Sequence, residues 1–394
     1  MRIFIEPLEP LQFRTGRPFT AGEHNFAESI FPPTPETLQG ALRAAIAVYW
    51  GEARTPPLRD LNTIFQQQEL TRLIGDRSSY GRMQITGLTL GRWDEQRTRV
   101  ERLFPAPANF LRVKNKGEQR EKIVRLLPVM DEQKSGMTNM PGACPLLLPP
   151  EKLDLSQKAD ELSGWLTWRG LQAVLHGAEL SEDENTVLKA EQVYTRESRL
   201  GIGMDSARKT TKEGFLYQAI STRIRERYGF VIDLQLAPKD DQASPLDVPA
   251  ELNFLHEGWM TLGGEQRAAR FTVLQADQVE VEESAQLSVE SKKFLYLVTP
   301  AFLKNGWLPE NTSLTEGLVT AAVNRYQTIG GWALEPGNAG GAAKKTQRCV
   351  PAGSIYFFDR NIPHKAPFTE YGAQIGYGLT YTGTWNYYVG EQNA

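Results

Sequence analysis

LQFRTGRPFTAGEHNFAESIFPPTPETLQGAL, from Leu11 to Leu42, sets a polar loop carrying Arg14, Arg17 and Gly22 directly ahead of a strongly signalled helix. Cations beside a residue that lets backbone N–H groups approach an oxyanion read as a phosphate-facing loop. On its upstream side, Arg2 to Leu8 alternates Ile3 and Ile5 with polar positions as a strand does, and Pro7 and Pro10 end it. Downstream, Thr34 offers an N-cap oxygen, Pro35 sits where a missing N–H costs nothing, and Glu36 complements the positive end of the helix dipole. A helix is therefore predicted from Pro35. Leu38, Ala41, Leu42, Ala45, Ile46 and Tyr49 recur at helical spacing to line one core-facing side, and Gly51 is the expected stop.

Composition bounds what surrounds this strand, loop and helix. A chain of 394 residues exceeds one ordinary core, so two domains are expected. A hydrophobic fraction of 40% is ample for globular packing, while no apolar run approaches the ~20 residues of a membrane span. No secretion signal is read at the N-terminus, and Cys144 and Cys349 stand far apart outside any paired ligand spacing. These features predict a reducing, cytoplasmic setting with neither structural zinc nor a disulfide framework. The net charge of -3 conceals opposite local balances: Arg92 to Arg125 holds ten Lys/Arg against five Asp/Glu, and Glu151 to Glu191 four against nine. The basic segment is a candidate phosphate-facing surface, and both are equally consistent with ordinary solvated faces.

Farther along, Ser79 to Arg92 is strand-like with a bend at Gly87. Asn115 to Pro150 lacks periodicity, and Glu161 to His176 reads as a helix, so residues around 100–190 are expected to form an insertion. Phe215 to Ile224 and Tyr228 to Leu236 read as a hairpin across Arg225 to Arg227. Gly258 to Val273 returns to strand chemistry, with Gly263 and Gly264 marking a bulge or a close backbone approach. In the last segment, Phe294 to Thr299 reads as a strand, and Ser313 with Glu316 forms a capping box for a helix to about Asn324. Thr328 to Leu334, Cys349 to Phe358 and Ile375 to Trp385 follow as strands. Strand, helix and three strands approximate a ferredoxin-like unit, and the N-terminal strand and capped helix would open another. The expected fold is α+β: two tandem ferredoxin-like (RRM-like) domains with glycine-rich loops, spanning 1–288, with the large insertion, and 289–394.

Two further blocks carry chemistry. GGWALEPGNAGG, Gly330 to Gly341, leads into Lys344, Lys345 and Thr346, where glycines and adjacent lysines suit an oxyanion. It is not a P-loop, because Ala343 or Lys344 stands where that motif needs Gly before its Lys-Ser/Thr pair. The alternative is a flexible hairpin end with solvated lysines. ESRLGIGMDSARKTTKEGFLYQAI, Glu197 to Ile220, combines Arg199, Arg208, Lys209 and Lys212 with Ile202 and Met204. It reads as a mobile basic loop whose apolar side chains either pack on bases or belong to the core.

FRTGRPF (Phe13 to Phe19) followed by AGE and FPPTPETLQGALR, then the Glu197 to Ile220 block, GGW (Gly330 to Trp332), VPAGSIYFF (Val350 to Phe358) and GYGLTYTGTW (Gly376 to Trp385) together resemble one CRISPR-Cas family. This is the RAMP-superfamily crRNA 5′-handle-binding subunit of type III-B (Cmr) effector complexes. The resemblance runs in order along nearly the whole chain, though Asn115 to Glu191 matches nothing in it. It implies a non-catalytic, cofactor-free antiviral subunit that grips the repeat-derived 5′ end of the guide RNA beside the large polymerase-like subunit and the first backbone subunit. Carried onto this chain, the implied RNA contacts are Arg14, Arg17, Gly22, Arg199, Arg208, Lys209, Gly263, Gly264, Arg267, Gly330, Gly331, Lys344 and Lys345.

Single-stranded RNA is held by phosphate contacts and by bases stacked on aromatic planes, for which Phe19, Phe26 and Trp332 are candidates. One alternative is a metal-independent endoribonuclease with His24 as general acid or base, set against the scatter of His176, His256 and His364. Another is a protein-only scaffold whose acidic segments are interfaces. The chain has no GGDD block for nucleotide cyclisation and no clustered carboxylates in a metal-ligand pattern.

Overall fold

The computed structural model describes residues 1–15, 26–27, 29–76, 79–114, 121–129, 147–149, 158–181, 183–205, 208–237, 250–279, 292–310, 315–333, 342–360 and 367–386. In chain order these give β1 (Arg2–Pro7), β2 (Phe26–Ala27), α1 (Pro35–Glu52), α2 (Leu61–Phe65), α3 (Gln68–Ile74), β3 (Met83–Trp93) and β4 (Val100–Pro105). The middle of the chain supplies β5 (Phe110–Lys114), β6 (Glu121–Arg125), β7 (Leu127–Pro128), β8 (Leu147–Leu148), β9 (Lys158–Glu161), β10 (Trp165–Leu166), α4 (Trp168–His176), β11 (Val187–Leu188) and α5 (Ala190–Val193). Then come β12 (Tyr194–Asp205), β13 (Thr210–Ile224), β14 (Tyr228–Leu236), β15 (Glu257–Leu262) and β16 (Arg267–Leu274). The last part contains β17 (Lys292–Leu297), β18 (Leu318–Ala322), β19 (Gln327–Ile329), β20 (Trp332–Ala333), β21 (Ala342–Ala343), β22 (Gln347–Cys349), β23 (Ile355–Phe358) and β24 (Thr380–Trp385). The architecture is α+β with mostly antiparallel sheets, and no described helix is long and apolar enough to cross a membrane.

Helix α1 begins where the local chemistry places it. The Thr34 hydroxyl oxygen accepts from the Thr37 amide at 3.3 Å, and Pro35 occupies the first turn. Gly51 does not stop the helix, which runs to Glu52; a Cβ on Gly51 would lie 2.5 Å from the Leu58 carbonyl oxygen, so the glycine admits the returning chain. Leu38, Leu42, Ile46 and Trp50 pack on Ile3, Ile5, Leu90, Phe230 and Ile232 of the eight-stranded sheet, ordered β11-β10-β4-β3-β14-β1-β16-β15. Within it β14 is antiparallel to both β1 and β3, so β1, α1 and β3 form a parallel crossover split by β14. The bend expected at Gly87 is a register shift opposite Asp233 and Leu234. On the far face Asp233 is bound by Arg2 and Arg102. Burial opposes the charge on Asp233, but the two guanidiniums outweigh it and hold the carboxyl below the usual range.

The second large sheet runs β18-β23-β17-β24, with β18 and β17 again parallel across a shared antiparallel neighbour. Here the helix expected from Ser313 to Asn324 is corrected: Leu318–Ala322 is a strand paired with β23, and Ser313 itself lies outside the described residues. Gly317, at φ +74°, turns the chain out of any helix that Glu316 could have joined. The neighbouring expectations also shorten. Thr328 to Leu334 resolves into β19 and β20, Cys349 to Phe358 into β22 and β23 around a turn at Gly353, and only Thr380–Trp385 of the last segment is strand.

Helical cover for this sheet comes from elsewhere in the chain. Glu161 to His176 is not one helix, because Gly164 at φ +109° and β10 precede α4, whose N-cap Thr167 accepts from the Gly170 amide at 3.1 Å. Leu171, Val174 and Leu175 of α4 join Phe294, Tyr296, Phe357 and Trp385 in one core, and the Thr384 hydroxyl donates to the Leu175 carbonyl at 3.4 Å. The opposite face buries Leu295, Leu297, Tyr356 and Phe358, which explains the unbroken apolar run in β17. The expected domain limit at Ser288 falls outside the described residues.

Candidate nucleic-acid interface

Both ends of the loop after β1 are pinned to the fold. Leu11 and Thr222 exchange two backbone hydrogen bonds of 2.8 Å, drawing the loop against β13. The Phe13 amide donates to the Ser29 hydroxyl at 3.0 Å and the Ile30 amide to the Phe13 carbonyl at 3.0 Å, closing the loop at its base. Leu11 and Phe13 are buried, whereas Arg14 is exposed beside Ser29. Arg17, Phe19, Gly22 and His24 lie outside the described residues. Phe26 is on β2, which pairs in parallel with Gln218 and Ala219 of β13.

The block expected to be a mobile basic loop is instead a long antiparallel hairpin. β12 and β13 pair from Tyr194↔Ile224 to Asp205↔Thr210 with one irregularity between Ile202 and Met204. Period-two alternation carries the pairing through two glycines, and the Tyr217 ring covers Gly201 so closely that a Cβ there would lie 2.2 Å from it. The expected pairing of Phe215 to Ile224 with Tyr228 to Leu236 is also corrected. Both are strands, but β13 pairs with β12 and β2 while β14 sits in the large sheet. Local strand propensity marked them, and tertiary contacts chose their partners.

One face of β12 presents Leu200, Ile202 and Met204 to solvent, 74%, 50% and 54% exposed. They are therefore not core. Arg208 and Lys209 occupy the turn, Lys209 at φ +53°. On the other face Arg199 reaches Glu197 at 3.5 Å and Arg223 binds the same carboxylate. Arg223 first, then Arg199, hold the Glu197 carboxyl below its ordinary range.

Gly263 and Gly264 face the chain's own loop. The Gly264 amide donates to the Gln12 carbonyl at 2.8 Å, and a Cβ on Gly263 would lie 2.9 Å from that oxygen. This is the close backbone approach expected there, set in the β15–β16 turn. Arg267 donates to Glu9 at 3.4 Å and also binds Glu265, while the Ala268 amide donates to Glu9 at 2.8 Å. That amide, with Arg267 and Arg199, holds the Glu9 carboxyl below its ordinary range. Arg199 and Arg267, far apart in sequence, thus act on one carboxylate.

Farther round, β20 and β21 form a small hairpin that carries Trp332. The Lys344 amide donates to the Gly331 carbonyl at 2.9 Å, its stem passes over Gly331, and its ammonium reaches Glu36 in the first turn of α1 at 2.5 Å. Lys345 is exposed, and the Arg348 guanidinium lies 4.6 Å from the Tyr326 ring centroid.

The structure therefore gathers Arg14, Arg199, Gly263, Gly264 and Arg267 about the loop and the base of the hairpin, and sets Arg208 and Lys209 at the hairpin's far turn. It places Gly330, Gly331, Lys344 and Lys345 in a second group at the entrance of α1. Sequence reading missed the carboxylates Glu9, Glu36 and Glu197 that pair with these cations; Glu9 and Glu36 lie far from them in the chain, whereas Glu197 is two residues from Arg199 on the same strand face. It also missed Leu200, although its alternation with Ile202 and Met204 between charged residues was a usable signal. Among the described residues, no three His, Cys, Asp or Glu side chains are grouped to hold a metal ion.

A family model for the CRISPR-associated protein Cas_Cmr3 matches residues 3–385. Among solved structures, the chain is similar to one in the cryo-EM structure of the type III-B Cmr-beta bound to cognate target RNA and AMPPnP, at 19% identity over 91% of this chain and 86% of that one, with a TM-score of 0.45. It is similar to a chain of the same complex bound to cognate target RNA at 20% identity over 91% and 86%, TM-score 0.43. For the apo state the figures are 13% identity over 70% and 97%, TM-score 0.30. With TM-scores below 0.5 these are distant likenesses that support no residue-level comparison. None of the curated proteins compared with the chain matches it.

Proposed function

The chain belongs to the CRISPR-associated Cas_Cmr3 family, and from that premise we propose that it is the non-catalytic subunit of a type III-B complex that grips the 5′ handle of crRNA. One observation carries this reading: the loop after β1, the β12–β13 hairpin and the Gly263–Arg267 turn, separated by some 180 and 40 residues, are joined by direct backbone hydrogen bonds. Arg14, Arg199, Arg208, Lys209 and Arg267 meet the RNA backbone there, with Arg17 and Gly22 completing the loop. Gly330, Gly331, Lys344 and Lys345 extend the same path. Solvent-exposed ion pairs contribute little to stability, so exchanging Glu197, Glu9 or Glu36 for a phosphate is readily compensated. The Leu200, Ile202 and Met204 stripe offers apolar contact to unstacked bases.

Four neighbouring strands of the first sheet, β3-β14-β1-β16, and the four strands of the second run in the order second, third, first, fourth, which supports a tandem ferredoxin-like reading. In that reading the subunit works in the cytoplasm and bridges the large polymerase-like subunit to the backbone filament. The internal carboxylate partners of Arg199, Arg267 and Lys344 favour a second reading, a scaffold whose RNA contacts come from neighbours.

Binding of the purified chain to handle RNA, scrambled RNA and matching DNA, at two salt concentrations and with or without magnesium, separates these. Handle-selective binding without cleavage, weakening with a logarithmic salt slope of about 0.7 per phosphate contacted, is the expected result. Equal affinity for the scrambled RNA removes the handle-specific reading, absence of binding points to the scaffold, and cleaved product revives the nuclease built on His24.

A further inference from the structure

Between the two large sheets lies a cleft of about 460 Å³. Leu88, Leu90, Leu103 and Phe230 form its floor, the approach to α1 from Phe31 to Pro35 one wall, and Val298 to Pro300 with Pro351 and Ala352 the other. An aromatic group lines it, with Phe31 4.5 Å from Tyr194 and Trp165 5.8 Å from Tyr194 between ring centroids. The rim is polar. Exposed Arg325 makes no ion pair among the described residues, Gln327 stands beside it, and half-exposed Tyr326 carries Arg348 on its ring.

Three neighbours of the cleft are parts of the proposed RNA path or border it: Phe31 ends the loop after β1, Tyr194 begins the hairpin, and Gln327 precedes Gly330 by three residues. Its walls come from both halves of the chain. We propose that the cleft receives one unpaired nucleobase, with the adjoining phosphate at Arg325. The chemistry favours this occupant over an aliphatic one, because planar apolar walls accept the π-face of any base while the charged rim suits its anionic linkage. An apolar protein segment would leave Arg325 without a counter-charge. This inference rests on the handle-binding reading for its source of RNA.

The test uses the purified chain with AMP, GMP, CMP and UMP, followed by saturation-transfer NMR. A parallel series binds handle RNA carrying a single abasic position, moved one nucleotide at a time. Ala352→Phe fills the cleft from its rim, Arg325→Gln removes the rim charge, and Arg59→Gln, an exposed position outside the cleft and the proposed RNA path, is the control. Transfer to the base protons of at least one mononucleotide is expected, absent in Ala352→Phe, weakened in Arg325→Gln and retained in Arg59→Gln. One abasic position should weaken RNA binding roughly 5- to 150-fold, the range for one stacked base, and have no further effect in Ala352→Phe. Tight RNA binding with no mononucleotide signal, or an abasic effect undiminished in Ala352→Phe, overturns the cleft assignment and leaves the handle reading standing. Mononucleotide binding without RNA binding keeps the cleft and removes the handle.

Discussion

Four neighbouring strands of the first large sheet, β3-β14-β1-β16, follow the same order as the four strands of the second, but the two sheets are covered differently. In the first, the segment joining β1 to β3 supplies its own helix, and α1 lies over the strands it connects. In the second, one apolar face packs against α4, encoded over a hundred residues earlier. A sheet's cover can therefore come from outside the segments that join its strands. What it requires is that both faces leave water, and any amphipathic helix delivered to the right place meets that need.

The contrast can be broken most severely at the ion cluster particular to the first sheet. Asp233→Asn removes the carboxylate that binds both Arg2 and Arg102 and is expected to cost about 3–5 kcal/mol, measured by denaturant unfolding. Because the folded carboxyl lies below its unfolded value of about 3.9, this stabilisation is complete above that pH and lost as pH falls through the depressed folded value. The variant should therefore show a weaker acid dependence than the wild type.

Next comes the roofing itself. Leu171→Ala in α4 and Leu42→Ala in α1 each remove a buried leucine and should cost about 2–5 kcal/mol. Amide exchange distinguishes them: the α4 change should accelerate β17, β23 and β24, and the α1 change β1, β3 and β14. If the α4 variant leaves β24 protected, the borrowed-helix account is wrong. The smallest effect is expected outside both sheet cores. Gly263→Ala forces a side chain into φ +74°, ψ −166° against Gln12, costing about 1–3 kcal/mol. It should also loosen the loop after β1, visible as faster exchange at the Gly264 amide.

Much of the first sheet was legible because its signals are local. Thr34, Pro35 and Glu36 cap α1 wherever it packs, and Ile3 with Ile5 can face one core only as a strand. The second half misled for the same reason. Ser313 with Glu316 suggested a helix running to Asn324, but LVTAA is too short for its period to separate strand from helix, so the hydrogen bonds to β23 decided. At the candidate interface, basic residues were visible singly, but Glu9 and Glu36, which pair with Arg267 and Lys344, come from distant segments.

By itself the sequence determined where the first strand and the first helix begin and the ordered blocks that identify the family. Those properties depend on side-chain chemistry within a few residues. The tertiary structure alone decided that β13 turns away from β14 to meet β12, that α4 serves the second sheet, and that the interface blocks converge. Each of these is a choice among partners with similar local propensity, settled by the burial and backbone pairing available only once the whole chain has closed.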